Sequence, residues 1–408
     1  MNPRTLVHAL EPQWQAVLDE VLRPRRVATS DVAKLAPRVE QLSRAYNAAD
    51  AEGRRTRLPL EARIAFSFPR DVPKGAAAAR ELVATGVLAL PTDRPLRVLD
   101  LGAGLGAMTW GLVRALTAAG GAGRVDATLV DEDAEALDAA RAIAQAAGAT
   151  LDASAVALQV TTRVARVGSA AELRAIGGGR HDVVIFGQVL SELDPHGDPG
   201  ARLEQHVSLL EEALANLVAD DGALVVVEPA LRERTRHLHA VRDRMLERGK
   251  ATVFAPCLHD ARCPMLTIET DWCHEDLAVD LPAWTAPLAR AAGLRWQGLT
   301  FSYLVLRKDR RRPVAALPSA HAVRFRVVSD PLRSKGKVEL FICGEDGARR
   351  RIRQLDREVD EAHGQLGNVS RGDIVGMIAA EPGEEAIDER GRARPGAHVA
   401  IDVSTPRQ

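Results

Sequence analysis

Residues 97–120, RVLDLGAGLGAMTWGLVRALTAAG, decide the fold. RVLDLG is an apolar strand running into a glycine turn, and AMTWGLVRALTAAG has helical spacing. Glycines at 102, 104 and 106 let the backbone turn sharply and approach a ligand, while the helix start offers free N–H groups. Outward from there the pattern repeats. DATLVDED is a second strand with an acidic end at Asp131, followed by the Ala-rich helix AEALDAARAIAQAAG. HDVVIFGQVLSEL opens as a strand at 182–186, and GALVVVEP is a strand at 223–227 ending in Glu228 and Pro229. A charged amphipathic helix spans 231–248, a strand starts at 251–255, and LTFSYLVLRK supplies the last at 299–308. The third strand falls near 158–164 because the order needs one there. Short apolar strands alternating with helices predict an α/β fold with a parallel sheet covered on both faces.

The flanks differ. Residues 1–90 read as a helical region, punctuated by Pro12, Pro37, Pro59, Pro69 and Pro73, with no catalytic spacing; a cap or recognition domain is expected. The α/β domain is expected over 91–308, with a cysteine-bearing insertion at 257–273. Residues 309–320 are a Pro- and Arg-rich linker. AVRFRVVSD, KVELFICGEDG, ARRRIRQL and RGDIVGMIAA alternate like short strands and predict a small β-rich, barrel-like domain at 321–380. The tail 381–408 is charged and expected to be partly disordered, with AHVAIDV at 397–403 able to add an edge strand.

At 408 residues, with 46% hydrophobic and 27% charged side chains, the chain has ordinary globular composition. Fifty-four basic residues stand against 55 acidic ones, but unevenly: residues 307–357 hold 15 basic and 6 acidic side chains. Lys335, Lys337, Arg349, Arg350, Arg351 and Arg353 are therefore candidate contacts to a phosphate backbone, the alternative being a solvated Arg-rich face. No apolar run approaches the roughly 20 residues needed to cross a bilayer, and the first residues carry no signal-peptide core. A cytoplasmic protein without membrane contact, monomeric when free, is the expectation.

The turn Asp100-Leu101-Gly102-x-Gly104-x-Gly106 resembles the S-adenosylmethionine pocket of class I methyltransferases more than a dinucleotide site. Asp131, ending the next strand, is the candidate acceptor for ribose hydroxyls. Gln188, Ser191 and Glu192 lie just past the fourth strand, where chemistry or adenine and methionine contacts are expected; for Glu192, and for Glu228 at the end of the fifth strand, a structural role is the alternative. No Asn/Asp-Pro-Pro-Tyr sequence follows the fourth strand, which weakens a base N-methyltransferase, and no cysteine stands there as a nucleophile.

Of four cysteines, Cys257, Cys263 and Cys273 form C-x5-C-x9-C and Cys343 follows in the β-rich part. Reduced cytosolic thiols argue against disulfides. Four thiolates can hold tetrahedral zinc or a [4Fe-4S] cluster. The wide gaps lack the close C-x2-C pairs of a zinc ribbon, and spacing leaves iron–sulfur and zinc nearly level. His259 and His274 are candidate alternates or supporting groups.

LDLGAGLG, IFGQVLSEL, VVVEPALRERTRHLHAVRDRML, FAPCLHDARCPM, DWCHED and FSYLVLRKD resemble, in that order, the Rsm22 family over roughly residues 40–360. These are methyltransferase-like proteins of the small ribosomal subunit, mitochondrial and bacterial. The resemblance implies a class I methyltransferase-like sheet and an S-adenosylmethionine site at Asp100, Gly102, Gly104, Gly106 and Asp131. It also implies a [4Fe-4S] cluster on Cys257, Cys263, Cys273 and Cys343, and basic surfaces against ribosomal RNA. Leu258 and Glu275 depart from the family's usual residues without removing a ligand. Two functions follow: a methyltransferase acting on small-subunit rRNA during assembly or translation, or a non-catalytic iron–sulfur assembly factor for the same subunit. A dehydrogenase is distant, because no hydride-transfer pair appears near the pocket.

Overall fold

The computed structural model describes residues 6–52, 58–151, 155–193, 197–313, 323–359, 366–381 and 383–403. Its larger sheet is built from β1 (Leu96–Leu101), β2 (Gly123–Asp131), β3 (Val156–Val164), β4 (His181–Gly187), β5 (Val218–Glu228), β6 (Thr252–Ala255), β7 (Glu275–Leu277) and β8 (Leu299–Arg307). The order is β3-β2-β1-β4-β5-β8-β6, with the short β7 also paired to β8. β1 to β5 run parallel, and β8 enters antiparallel between β5 and β6. A dinucleotide-binding sheet would continue in parallel; the inserted antiparallel strand marks the class I methyltransferase-like arrangement.

The near-continuous apolar runs of β4 and β5 follow from burial on both faces. Val183, Ile185, Val225 and Val227 join one core, and Val184, Phe186, Leu224 and Val226 the other. β3 is an edge strand with only Val156 buried, so its sequence carries no apolar run to mark it.

The helices of the first ninety residues include α1 (Gln13–Leu22), α2 (Val32–Glu52) and α3 (Phe68–Ala84). Leu60–Ala62 leads into α3 through a π-helical turn, Arg63–Ser67. Trp14, Leu18, Phe68 and Val72 share the core of β1 and β2, so these helices pack onto the sheet rather than apart from it. Contact between α3 and α4 (Ala107–Ala118) is backbone to backbone: a Cβ on Gly75 would lie 2.6 Å from the Met108 carbonyl oxygen. The remaining helices are α5 (Ala134–Thr150), α6 (Ala170–Ile176), α7 (Pro199–Asn216), α8 (Arg232–Glu247) and α9 (Ala286–Ala291).

The second sheet holds β9 (Val323–Val327), β10 (Leu332–Ser334), β11 (Lys337–Gly344), β12 (Arg349–Leu355), β13 (Ile374–Ile378) and β14 (His398–Val403). Its order is β10-β11-β9-β13-β14, with β12 on β11. Strand pairing carries this sheet past residue 380, because β14 lies along β13 while Ala386, Ala393 and Ala397 are buried in its core. Residues 314–320 of the expected linker, 321–322 and 404–408 lie outside the described residues.

A buried ionic network joins the helices and the two sheets. Arg326 of β9 grips Glu81 of α3 through two bonds of 2.7 Å and donates to the Pro256 carbonyl at 2.8 Å. Arg80 reaches Glu275 at 3.1 Å, and the Tyr303 hydroxyl donates to Glu81 at 3.0 Å. Every one of these side chains is buried. Pro256 and Glu275 flank the segment that carries three cysteines.

Candidate functional site

The C-terminal ends of β1, β2 and β4 meet at the glycine turn. Gly102, Gly104 and Gly106 have φ of +69°, +52° and +76°, a region that L side chains avoid. Space is also short: a Cβ on Gly102 would collide with Val189, and one on Gly104 would sit 3.0 Å from the Arg63 guanidinium. Asp131 braces the turn, its carboxylate accepting from the Gly104 N–H at 2.8 Å and the Asp133 N–H at 2.9 Å. Asp100 is 1% exposed; one oxygen accepts from the Thr109 hydroxyl at 2.8 Å and the other has no partner. Burial pushes its pKa up to about 7. A carboxyl with one orphaned oxygen beside a glycine cradle suits a cationic donor, such as the ammonium of an amino-acid moiety.

The expected neighbours past β4 converge here too. Gln188 adopts φ 61°, held by its N–H on the Val227 carbonyl at 2.6 Å. Glu228, ending β5, accepts from the Leu190 and Ser191 N–H groups at 2.9 and 3.1 Å; burial lifts its pKa to about 7, with nearby Glu192 adding to the rise. Two groups come from the helical region that had offered no catalytic spacing. Arg63 projects from the π-helical turn over Gly104 and pairs with Asp133 at 2.7 Å. Burial raises the Tyr46 phenol, and the charges of Glu192, Asp71 and Asp131 act in the same direction. A π-turn leaves no periodic sequence signal, though such turns recur at functional sites.

The cysteines gather at a second place. Cys263 is buried, and Cys273 and Cys343 pack against the same small cluster as Met265, Val328 and Phe341. Burial raises all three of these thiols, Cys263 and Cys343 to about 12, and the charge of Cys257 raises each further. Cys343 Sγ lies 3.3 Å from His259 Nε2. α8 holds the loop by its backbone. Arg242 donates to the carbonyls of His259 and Ala261 at 2.7 and 2.9 Å, and Asp243 accepts from the Cys263 N–H at 2.9 Å. Arg236 gathers the carbonyls of Met265, Ile268 and Asp271 at 2.7–2.8 Å. As placed, Cys263, Cys273 and Cys343 are held as protonated thiols; only on losing their protons would the four repel one another enough to favour a cation between them, which is the chemistry of a thiolate-bound metal centre. Among the described residues no group of three or more His, Cys, Asp or Glu side chains is arranged to hold a metal ion.

The candidate basic residues of β11 and β12 are largely paired. Arg349 meets Asp271 at 2.8 Å and stacks on Phe341, Arg350 meets Asp346 at 2.9 Å, and Lys337 meets Glu339 at 2.8 Å. Arg350 and Arg351 remain half-exposed, at 51% and 58%.

The family model described as mitochondrial small ribosomal subunit Rsm22 matches residues 64–370, three quarters of the chain. The chain belongs to the Rsm22 family. That match encloses the glycine turn and all four cysteines. No curated protein matches the sequence. Among solved structures, a precorrin-6y C5,15-methyltransferase from Geobacter metallireducens GS-15 is 12% identical, covers 56% of this chain and 88% of its own, and has a TM-score of 0.29. A SAM-dependent methyltransferase from Agrobacterium tumefaciens is 13% identical, covers 59% and 62%, and has a TM-score of 0.33. An O-methyltransferase family protein from Burkholderia thailandensis is 18% identical, covers 71% and 72%, and has a TM-score of 0.29. The fold of this Rsm22-family chain rests on its strand order rather than on those likenesses. Among the described residues, no helix is long and apolar enough to cross a membrane.

Proposed function

We propose that this Rsm22-family chain binds S-adenosylmethionine at the β1 turn and acts on the rRNA of the small ribosomal subunit during assembly or translation. The observation that carries the reading is a single family match enclosing both the glycine turn and the four cysteines. In this reading Gly102, Gly104 and Gly106 admit the ligand to the backbone, Asp131 accepts from ribose hydroxyls, and Asp100 accepts from the ammonium. Gln188 and Glu192 border the same site. When bound, S-adenosylmethionine supplies an electrophilic methyl group; the chain orients it and excludes water. Cys257, Cys263, Cys273 and Cys343 hold a [4Fe-4S] cluster, with zinc the alternative, and Cys343 thereby ties the second sheet to the first. Lys335, Lys337, Arg349, Arg350, Arg351 and Arg353 face RNA, and the helical region, the larger sheet and the smaller sheet act as three parts.

A second reading, a non-catalytic assembly factor, is favoured by the IFGQ ending of β4, which lacks the Asn/Asp-Pro-Pro-Tyr motif. Calorimetry with S-adenosylmethionine separates the two: no binding at millimolar ligand sinks the methyltransferase. Binding followed by transfer of a labelled methyl to isolated small subunits supports it. Anaerobically purified protein should be brown and contain iron. A colourless protein with one zinc per chain would replace the cluster.

A further inference from the structure

Beside the cysteine loop lies a cleft of about 660 Å³ that none of the roles above uses. Four segments build it: the end of α8 with the turn to Lys250, the start of β6, the loop around Asp260 and Arg262, and the stretch Lys308–Arg312 that leaves β8. Five cations line it: Lys250, Arg262, Lys308, Arg310 and Arg312.

Two of these are tied down. Lys308 donates to the Val218 carbonyl at 2.8 Å and to Asp220 at 3.0 Å, and Arg312 donates to the Leu258 carbonyl at 3.2 Å and pairs with Asp260. Lys250, Arg262 and Arg310 are exposed and have no hydrogen-bonding or acidic partner among the described residues. Three acids also line the wall against the five cations, and each has a partner other than Lys250, Arg262 and Arg310. Asp243 is taken by Arg242 and the Cys263 N–H, Asp260 by Arg312 and the Val253 N–H, and Glu247 by Arg244 at 3.6 Å. No aromatic ring lines the cleft, so it offers charge without a stacking platform. That combination tracks a phosphate backbone rather than reading bases.

We infer that this cleft seats the phosphate backbone of an RNA strand, through Lys250, Arg262 and Arg310, next to the cysteine loop. The inference rests on the RNA partner proposed above and adds a contact face distinct from β12. Ala261 meets Gly347 of the β11–β12 turn, so an RNA strand here runs alongside that hairpin.

The test is fluorescence anisotropy of a labelled single-stranded RNA with the whole protein, titrated across salt concentrations. The variants are K250Q/R262Q/R310Q and the charge-keeping K250R/R262K/R310K, each checked for an unchanged melting transition. Each phosphate contact on a single strand contributes about 0.7 to the slope of log K against log salt. Losing three should reduce the slope by about 2 and weaken binding on the order of 100-fold at 0.1 M salt. The charge-keeping variant should bind like wild type. Steep wild-type binding that the glutamine variant leaves unchanged overturns the cleft and spares the RNA reading; no wild-type binding overturns both. Displacement of RNA by inorganic phosphate at matched ionic strength makes this a small-anion site and also overturns the inference.

Discussion

Replacing Asp100 with Asn tests the electrostatics of the glycine turn. Burial raises the carboxyl from 3.8 to about 7, while its second oxygen has no partner. For an acid raised in the folded state, the folded chain holds its proton more tightly than the unfolded chain. Stability from this group is therefore complete below about pH 4 and lost as pH climbs towards 7. The whole rise is worth about 4 kcal/mol at 1.36 kcal/mol per pH unit, of which about 2.5 kcal/mol disappears between pH 5 and 8. Asparagine keeps an acceptor for Thr109 and does not titrate, so any fixed cost of the amide is the same at both pH values. Urea unfolding followed by tryptophan fluorescence at pH 5, 6.5 and 8 should show D100N gaining about 2.5 kcal/mol on wild type across that range. Saturating S-adenosylmethionine should narrow the gap at pH 8, because a cation on the free oxygen favours the ionised carboxyl. Wild-type and variant stabilities that run parallel from pH 5 to 8 would refute the reasoning.

Other perturbations reach other parts of the molecule. G102A forces a side chain into φ +69° and against Val189; it should cost about 1–3 kcal/mol in thermal unfolding and abolish S-adenosylmethionine binding. R326M leaves Glu81 without its main cation and should cost about 3–5 kcal/mol, most of it recovered in E81L/R326M, as measured by urea unfolding. C257S and C273S should bleach the anaerobic protein and lower its solubility; iron content unchanged from wild type would remove these two residues from the ligand set. R351Q/R353Q should weaken RNA binding and flatten its salt dependence, and unchanged affinity would leave β12 a solvated face.

The strand-turn-helix at 97–120 and the alternation after it were legible because burial on both faces of β4 and β5 forces apolar runs. β3 was inferred only from order, since an edge strand with one buried residue has no such run. β7 passed unnoticed: three residues, Glu275–Leu277, pair with β8 inside a segment read only for its cysteines. The site divided in the same way. Gly102, Gly104, Gly106 and Asp131 were readable because a tight turn and a strand-end acid have fixed spacing. Arg63 and Tyr46 were not, because they arrive from helices far away in sequence. α8 read from sequence as a charged amphipathic helix with no assigned contact, yet Arg242 and Asp243 are buried and bind the cysteine loop. Composition cannot tell a charged face turned to water from one turned to a loop's backbone.

The Glu81–Arg326 pair also bears on how the chain is made. Its partners are 245 residues apart, so at roughly 5–20 residues per second of synthesis Glu81 waits about 10–50 s for Arg326, with the adjacent Arg80 as its other cation. Through that interval an ionised carboxylate destined for full burial must stay hydrated. The seam between α3, β8 and β9 is therefore among the last to close, and a nascent chain that stops short of β9 exposes an open, charged flank. That flank distinguishes an unfinished molecule from a finished one.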